Sequence, residues 1–500
     1  MGYSRGALIL LDHAEVLART GAEFSGPLPS HPFRGLRSDD RSREGDLFVA
    51  VRGVRYDSHQ AIPQLPAHGI RGVVGEVAPP PRLPIPHYKV TSSRRVLALL
   101  EQAFAGDPTR QLRVVGVTGT NGKSTTVRIL ATILEALGRR VGWLGTVSGS
   151  LAGYPFHSSL TTPEPRELAR AGCVLVARQG QDLVLEVSSQ ALHQERVAGI
   201  EFQGGLLTNF TRDHRDYHGS QEAYLAAKLR LLESVVPGAP VVLPLEGPLN
   251  PGHPCLAGKR ALFFGQESGD GFVESMALST SGLEGSLCIL GEPVSFQSSL
   301  MGRHNLLNIL AAALMARALE VPAECISRGI ASTPPVPGRL EAVLGGRGQI
   351  YVDYAHTPEA LRTVLHSLRE FTSKKLIVVF GCGGDRDQGK RPEMGRIAAE
   401  LADRTFITSD NPRHEEPEQI IAEILAGLDE SERRQVTAVK DRREAICAAL
   451  SELGQDDTLV VAGKGHETEQ LIHGRRLPFD DRQVIREMLA ARQCSRMGPP

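Results

Sequence analysis

The sequence predicts an α/β protein of three domains in which mostly parallel sheets dominate. Three observations lead to this fold class. The chain has 500 residues, more than one hydrophobic core usually serves. After residue 338, apolar runs of strand length alternate with amphipathic segments, the pattern of a sheet with helices on both faces. Residues 112–117 form an apolar, β-branched run that stops at a glycine-rich turn, the strand-loop-helix context of a phosphate loop.

A proline-rich run at residues 79–86 and the sequence Pro337-Gly338-Arg339 mark the two expected boundaries. The predicted domains are residues 1–91, 92–338 and 339–500. The first contains short apolar stretches at residues 46–51 and 69–74. The central domain is predicted to contain strands at 112–117, 183–187, 205–208 and 241–245 and helices at 94–104 and 305–319. The third is predicted to contain strands at 350–354, 376–380, 405–408 and 458–462.

Composition argues against several classes of protein. Lys plus Arg number 56 against 57 Asp plus Glu, so no global field recruits nucleic acid or an anionic membrane. The seven cysteines are scattered and form no CxxC pair, which argues against a zinc site or a disulfide framework. No stretch approaches the roughly 18 apolar residues of a membrane span. We therefore expect a monomeric, cytoplasmic protein that binds neither membrane nor nucleic acid.

The segment from Gly116 to Ser124 follows a predicted strand and opens a helix. Its N–H groups can therefore converge on phosphate oxygens, with Lys123 reaching the outer phosphates and Ser124 ligating magnesium. The general pattern GxxxxGK[ST] fails at one position, because Val117 stands where glycine is required. A turn that only caps a helix is the alternative. The combination Gly-Lys-Ser after a strand favours binding of ATP and Mg²⁺.

Three other side chains are candidates for the same chemistry. Glu186 ends an apolar strand, where ligands of open α/β sheets bind. His214 lies in a polar segment after the next strand, and Lys228 lies on an amphipathic helix. Taken alone, these three residues are more often a solvated carboxylate, a capping histidine and a lysine at the surface.

The wording Gly119-Thr-Asn-Gly-Lys-Ser-Thr125 resembles the phosphate loop of the Mur ligase and folylpolyglutamate synthase family, and residues 209–219 resemble the Mur motif NxxxDHxDYHG. The resemblance covers residues 36 to 483. It implies a uridine-binding N-terminal domain, a central ATPase domain and a Rossmann-like C-terminal domain. It also implies Lys123, His214 and Lys228 as catalytic residues. Magnesium would be held by Ser124, Glu186, His214 and a carbamylated Lys228, because carbamylation replaces a cation with an anionic oxygen ligand.

The resemblance implies three groups of binding residues. ATP would be bound by Gly119, Thr120, Asn121, Gly122, Lys123, Ser124, Thr125, Asn305, Asn308 and Asp353. A UDP-linked substrate would be bound by Ser38, Asp40, Val54, Arg55, Tyr56, Thr161, Thr162, Ser188, Gln194 and Arg196, with Asp40 standing where the family usually has serine. Diaminopimelate would be bound by Arg386, Asp410, Asn411, Pro412, Arg413, Gly463 and Glu467.

As plain sequence, Asp410-Asn-Pro-Arg413 could be a turn. The resemblance implies instead that this motif marks addition of meso-diaminopimelate to UDP-N-acetylmuramoyl-L-alanyl-D-glutamate, because lysine-adding members of the family lack this arginine. The expected reaction passes through an acyl phosphate in peptidoglycan precursor synthesis, with closure of the domains around Gly338. A folylpolyglutamate synthase-like ligase is one alternative. A catalytically silent nucleotide-binding protein is the other, against which the intact Lys123, Glu186, His214 and Lys228 argue.

Overall fold

The structure is a computed structural model that describes residues 9–38, 46–53, 56–279, 282–343 and 348–497. These residues form an N-terminal five-stranded sheet, a central eleven-stranded sheet and a C-terminal six-stranded sheet, with a separate hairpin. Helices and loops pack on these sheets, so the expected α/β class of parallel-sheet domains is confirmed.

The N-terminal sheet has the strand order β1-β5-β4-β3-β2, in which only β1 runs antiparallel to its neighbour. Its helix α2 begins after Ser92, whose hydroxyl accepts the Arg95 N–H and caps the helix. The apolar face of α2 packs into the core of this sheet. The elements are β1 Glu23–Ser25, β2 Leu36–Arg37, β3 Leu47–Val49, β4 Gly72–Gly75, β5 His87–Lys89, α1 His13–Thr20, α2 Ser93–Phe104 and a 3₁₀ helix Ser58–His68.

The central sheet has the order β16-β15-β14-β13-β12-β11-β6-β10-β7-β8-β9. Its middle strands are parallel, and antiparallel pairs extend it at both ends. The strands are β6 Arg113–Thr118, β7 Val141–Leu144, β8 Gly149–Leu151, β9 Tyr154–Phe156, β10 Asp182–Glu186, β11 Phe202–Leu207, β12 Pro240–Pro244, β13 Arg260–Phe264, β14 Gly271–Ser279, β15 Gly282–Ile289 and β16 Glu292–Ser298.

Helices cover both faces of the central sheet, and two of them are almost wholly buried. Helix α3 starts at the end of β6 and packs against α8 and α9, whose small and apolar residues fill the core. The helices are α3 Lys123–Ala136, α4 Pro165–Ala177, α5 Ser189–His193, α6 Arg215–His218, α7 Gln221–Glu233, α8 Arg303–Ala318 and α9 Ala323–Ala331, with 3₁₀ helices Pro108–Gln111 and Pro254–Leu256.

The C-terminal sheet has the order β17-β18-β22-β19-β20-β21 and is parallel except at β17. A hairpin of β23 and β24 follows β22. The elements are β17 Glu341–Ala342, β18 Gln349–Asp353, β19 Leu376–Phe380, β20 Arg404–Ile407, β21 Val436–Ala438, β22 Thr458–Ala462, β23 Glu469–Ile472, β24 Arg475–Pro478, α10 Pro358–Arg369, α11 Lys390–Leu401, α12 Pro417–Leu425, α13 Arg442–Glu452, α14 Asp481–Met497 and a 3₁₀ helix Glu432–Gln435.

The segment that leads from the central to the C-terminal domain borders a cavity of about 260 Å³. Residues 334–337 form one wall, and the Arg128 guanidinium lies 4.7 Å from the ring centre of Trp143 on the other. Within the described part of the chain, no helix combines the length and the apolar character needed to cross a membrane.

Candidate active site

The phosphate loop joins β6 to α3 and depends on two glycines with positive φ. A Cβ atom on Gly119, at φ 145°, would lie 1.9 Å from Thr208 Oγ1, and one on Gly122, at φ 82°, would lie 2.2 Å from Asn308 Oδ1. Neither position therefore accepts a side chain without movement of its neighbours. The loop is further fixed because Asn209 Oδ1 accepts the N–H of Asn121 at 2.9 Å.

Lys123 and Ser124 begin α3 and line a cavity of about 380 Å³. The Lys123 ammonium donates to the carbonyl oxygens of Gly119 at 3.0 Å and Thr120 at 2.9 Å. Burial lowers the pKa of this lysine, and the Glu186 carboxylate opposes the shift. The Ser124 hydroxyl donates to Glu186 Oε2 at 2.9 Å, so the two oxygens predicted to bind magnesium are adjacent.

Lys228 projects from α7 towards the back of the phosphate loop, and only 1% of the residue is exposed. Its Nζ donates to the Gly119 carbonyl at 2.7 Å and lies 4.3 Å from the ring centre of Tyr224. Burial, and then the positive charge of Lys123, lower the pKa of Lys228 well below its ordinary value of 10.5. The environment thus favours the neutral amine, which is the form that reacts with carbon dioxide.

His214 lies in the left-handed region at φ 51°, directly after β11 and its loop. The Asp213 carboxylate accepts the His214 backbone N–H at 2.8 Å and lies 3.4 Å from its Nε2. Burial lowers the pKa of His214 and favours the neutral ring, whose free nitrogen is a metal ligand.

In the described residues, no three His, Cys, Asp or Glu side chains converge in a geometry that could hold a metal ion. The adjacent Ser124 and Glu186 oxygens nevertheless fit a magnesium site that is completed by phosphate, water or a carbamate.

A second cavity of the site, of about 90 Å³, adjoins the phosphate-loop cavity and opens between α8 and the start of the C-terminal domain. It is lined by Asn308 and Asp353, as expected for an ATP site, while Asn305 lies behind it and accepts from Asn308 Nδ2 at 2.9 Å. Both Asp353 oxygens accept backbone N–H groups, from Leu340 and Ala355, each at 2.7 Å. Burial raises the pKa of Asp353.

The residues expected to bind the UDP-linked substrate divide into two sets. Thr161, Ser188 and Arg196 line the phosphate-loop cavity. Thr162 and Gln194 support them from behind. Thr162 is fully buried, and its hydroxyl accepts the Ser188 N–H at 2.9 Å. Gln194 Oε1 accepts from Arg196 Nη2 at 2.7 Å.

In the first domain, Ser38 is half-buried and Tyr56 is exposed. Asp40, Val54 and Arg55 lie outside the described residues.

The third cavity, of about 270 Å³, lies between the loop after β11 and the C-terminal ends of β19, β20 and β22. Six of the seven residues expected to bind diaminopimelate line it: Arg386, Asp410, Asn411, Arg413, Gly463 and Glu467. Pro412 is not among them. The Arg413 Nη1 donates to the Gly384 carbonyl at 2.7 Å. Burial, and then the charge of Arg386, lower the pKa of Arg413.

The hairpin β23–β24 holds Arg413 in place and was missed by sequence reasoning. The Arg413 N–H donates to the Leu471 carbonyl at 2.9 Å, and its own carbonyl accepts the His473 N–H at 2.5 Å. The turn residues His473 and Gly474 both have positive φ, the signature of a tight primed turn. The sequence His-Gly between two short alternating runs was the available signal.

The phosphate-loop cavity shares walls with the other two. His214, Tyr354 and His356 line both it and the third cavity, and Arg339 lines both it and the second. Tyr354, His356 and Arg339 were not predicted as site residues, although the first two closely follow Asp353 in the sequence and Arg339 belongs to the boundary motif. The Arg339 guanidinium lies 4.7 Å from the ring centre of Tyr354.

Three α/β domains that place a phosphate loop between two further cavities define a nucleotide-dependent enzyme of the phosphate-loop class. The model of the Mur ligase middle domain matches residues 117–316, and that of the Mur ligase glutamate ligase domain matches residues 338–465.

Relatives cover nearly the whole chain. A protein of Gloeobacter violaceus named UDP-N-acetylmuramoyl-L-alanyl-D-glutamate--2,6-diaminopimelate ligase is 39% identical over 96% of this chain and 98% of its own. A Geobacillus kaustophilus protein of the same name is 37% identical over 90% of this chain and 94% of its own. A solved structure of a ligase with that name is 30% identical, has a TM-score of 0.68, and matches 97% of this chain and 100% of its own.

The chain belongs to the Mur ligase family. It is accordingly a ligase that joins an acid to an amino acid, in a family that depends on ATP and requires Mg²⁺.

Proposed function

We propose that this ligase adds meso-2,6-diaminopimelate to UDP-N-acetylmuramoyl-L-alanyl-D-glutamate in peptidoglycan precursor synthesis, and that it works in the cytoplasm. Relatives that are similar to this chain over almost their full length are named for this reaction. The observation that carries the proposal is the lining of the third cavity, where the guanidiniums of Arg386 and Arg413 occur together with the carboxylates of Asp410 and Glu467.

This arrangement of charge matches the two ends of the proposed amino acid. Diaminopimelate has two carboxylates and two ammonium groups, whereas lysine has a single carboxylate. A guanidinium offers two parallel donors to a carboxylate, so two arginines suit a dicarboxylate. Asp410 Oδ2 is buried and has no hydrogen-bond partner among the described residues, which leaves it available to an ammonium group.

The reaction needs positive charge around the transferred phosphoryl group. Lys123 begins α3 beside Ser124, so its ammonium and the helix N-terminus can stabilise negative oxygen as the D-glutamyl carboxylate accepts the γ-phosphoryl group of ATP and ADP leaves. The free amine of diaminopimelate then attacks the carbonyl carbon, phosphate leaves, and the new amide loses one proton. Magnesium, held by Ser124, Glu186, His214 and a carbamylated Lys228, would supply further positive charge.

Carbamylation of Lys228 is part of the same proposal. The neutral amine takes up carbon dioxide, a C–N bond forms, and one proton is released to leave an anionic carbamate. The low pKa imposed by burial supports this step, and the only hydrogen bond of Nζ among the described residues is the one to the Gly119 carbonyl oxygen at 2.7 Å.

The division into a UDP-substrate domain at 1–91, an ATP domain at 92–338 and an amino-acid domain at 339–500 stays a prediction, as does a monomeric state. Helix α2, which follows the first boundary, packs into the core of the first sheet. The three adjoining cavities support closure of these domains around the reactants, which would exclude the water that hydrolyses an acyl phosphate.

The test is amino-acid-dependent phosphate release by the purified chain with ATP, Mg²⁺ and the UDP-muramoyl dipeptide. Release with meso-diaminopimelate and little with L-lysine, together with a UDP-tripeptide of the expected mass, is the expected result. Release only with a folate substrate and glutamate would support the folylpolyglutamate synthase alternative. No release with any acceptor would support a catalytically silent protein.

A further inference from the structure

A lysine that no part of the proposed reaction uses lies behind the lining of the third cavity, which is called the amino-acid cavity from here on. The Lys464 side chain has no solvent exposure, although it follows β22 at the edge of the sheet where the cavity opens. A buried ammonium is costly unless it is paired and hydrogen-bonded. Its partners therefore show what this lysine does.

All three donors of the Lys464 ammonium are used. Nζ donates to Glu467 Oε2 at 2.9 Å, to the Glu469 carbonyl at 2.7 Å and to Asn411 Oδ1 at 3.3 Å. Two of these partners, Asn411 and Glu467, line the amino-acid cavity, while Lys464 itself does not. One cation therefore ties the loop after β20 to the loop after β22.

The network leaves one oxygen of Glu467 uncommitted. Glu467 Oε2 also accepts from Asn411 Nδ2 at 2.7 Å, so two donors fix the carboxylate through the same atom. Within the described residues, Glu467 Oε1 has no hydrogen-bond partner, and Glu467 lines both the amino-acid cavity and the phosphate-loop cavity. Glu467 thus lies where an amine must pass from one cavity to the other.

We propose that Lys464 is a positioning residue that fixes Glu467 and Asn411 so that Glu467 Oε1 receives the ammonium end of the incoming amino acid. The inference rests on the proposed function, because it assumes an amino acid in the third cavity. Without Lys464, Glu467 can rotate and Asn411 loses one of the groups that orient its amide. The Glu467 carboxylate is then oriented towards the amino acid in only a fraction of the enzyme molecules.

The experiment compares Lys464→Met with the unmodified chain in steady-state kinetics, varying each of the three substrates in turn. The loss of this orienting hydrogen-bond network should raise KM for diaminopimelate about tenfold, which corresponds to about 1.4 kcal/mol. The KM values for ATP and for the UDP-muramoyl dipeptide should change little, and kcat should fall less than KM rises. The control is Lys440→Met, which removes an exposed lysine paired with Glu418 in the same domain.

A double-mutant cycle with Glu467→Gln separates positioning from support of the fold. If Lys464 acts through Glu467, Lys464→Met should add little to the loss already caused by Glu467→Gln. Additive losses, an unchanged KM for diaminopimelate, or equal changes for all three substrates would each overturn the inference. Should Lys464→Met fail to fold, Lys464→Gln, which retains a donor, takes its place in the cycle. If the unmodified chain releases no phosphate with diaminopimelate, the proposed function itself fails, whatever the variants do.

Discussion

The guanidinium of Arg413 offers the sharpest test at the scale of single residues. It is partly buried, hydrogen-bonded to the Gly384 carbonyl and close to the charge of Arg386. Removal of one member of a buried charge pair costs about 2 to 5 kcal/mol. We therefore expect Arg413→Ala to lower kcat/KM for diaminopimelate by roughly one and a half to three and a half orders of magnitude.

The effect of Arg413→Ala on activity with lysine shows whether Arg413 selects between the two amino acids. Lysine lacks the second carboxylate, so the substitution should affect its much lower activity far less. Arg443→Ala, which removes an exposed arginine from α13, is the matched control. Equal losses with both amino acids would show that Arg413 does not select the substrate.

Lys228 tests the proposed carbamate. Lys228→Arg keeps a positive charge, but a guanidinium cannot supply the anionic oxygen, so we expect the variant to be nearly inactive. In the unmodified chain, incubation with ¹³C-labelled carbon dioxide should give one carbamate resonance that is absent from the variant. Lys259→Arg, in the same domain, should keep both the resonance and the activity. A fully active Lys228→Arg enzyme would contradict the carbamate.

Lys123 tests the phosphate loop. Lys123→Ala removes the cation from the start of α3 and should abolish turnover, because no other lysine lines the phosphate-loop cavity in the described residues. The fold should persist, since the hydrogen bonds of this ammonium are to two loop carbonyls and not to the core. Circular dichroism measures whether the fold persists, and phosphate release measures turnover. Near-normal activity would refute the assignment of the phosphate loop.

At the scale of elements, a buried ion pair joins α13 and α14 beneath the amino-acid cavity. Arg442 and Asp481 have fully buried side chains and form two hydrogen bonds of 2.8 Å. The same guanidinium donates to the carbonyls of Ser409 at 3.3 Å and Ala462 at 2.9 Å. It therefore links the ends of β20 and β22, from which the loops of the cavity start.

We expect Arg442→Met to reduce the free energy of unfolding by about 3 to 5 kcal/mol, because Asp481 is left buried and unpaired. Chemical denaturation followed by circular dichroism measures the change. The same helices offer a control in Arg443 and Glu487, whose side chains are 47% and 41% exposed. Arg443→Met should cost about 0 to 1 kcal/mol. Equal losses in the free energy of unfolding for the two variants would show that the buried pair is no more important for stability than the exposed one.

Continuous apolar runs predicted the buried parallel strands, whereas strands with exposed polar residues had no clear signal in the sequence. Strands β19 and β22 were predicted with their observed bounds, because fully buried parallel strands are continuous apolar runs. The antiparallel strands β14 to β16 were missed. Their alternating polar residues, several of them exposed in β14, resemble loop sequence. The hairpin β23–β24 was missed for the same reason, since all four residues of β24 are exposed.

The candidate site was predictable to the extent that motifs are contiguous in sequence. Asp410 and Arg413 were found through one motif, whereas Thr162 and Gln194 line none of the three site cavities although they lie in motifs too. A motif identifies a segment, but only the fold decides which side chains reach the cavity and which hold their neighbours. The support that Lys464 and Arg442 give from below depends on tertiary contacts and has no local pattern.

At the scale of the whole molecule, two partly buried histidines make stability depend on pH. Burial, and then the charge of Arg339, lower the pKa of His304 and His466 from 6.5 to about 4. Below pH 6.5 the unfolded chain binds protons that the folded chain does not bind until about pH 4. Stability should therefore fall as pH decreases across this window, by up to about 2.7 kcal/mol per pH unit for the two residues together.

Urea denaturation at several pH values measures this slope. The double substitution of His304→Gln and His466→Gln should reduce it, whereas His68→Gln, at an exposed position, should leave it unchanged. An unaltered slope in the double variant would show that other groups take up the protons.

The cavity beside the interdomain linker has an optical consequence. The chain contains one tryptophan, Trp143, and its indole lies beneath Arg128 in the cavity whose opposite wall is residues 334–337. The emission wavelength of an indole depends on the polarity of its surroundings. A movement of residues 334–337 away from Trp143 should therefore shift the emission maximum of the protein's intrinsic fluorescence. A single chromophore, with no second tryptophan to obscure it, thus lets domain closure be timed in stopped flow without any attached label.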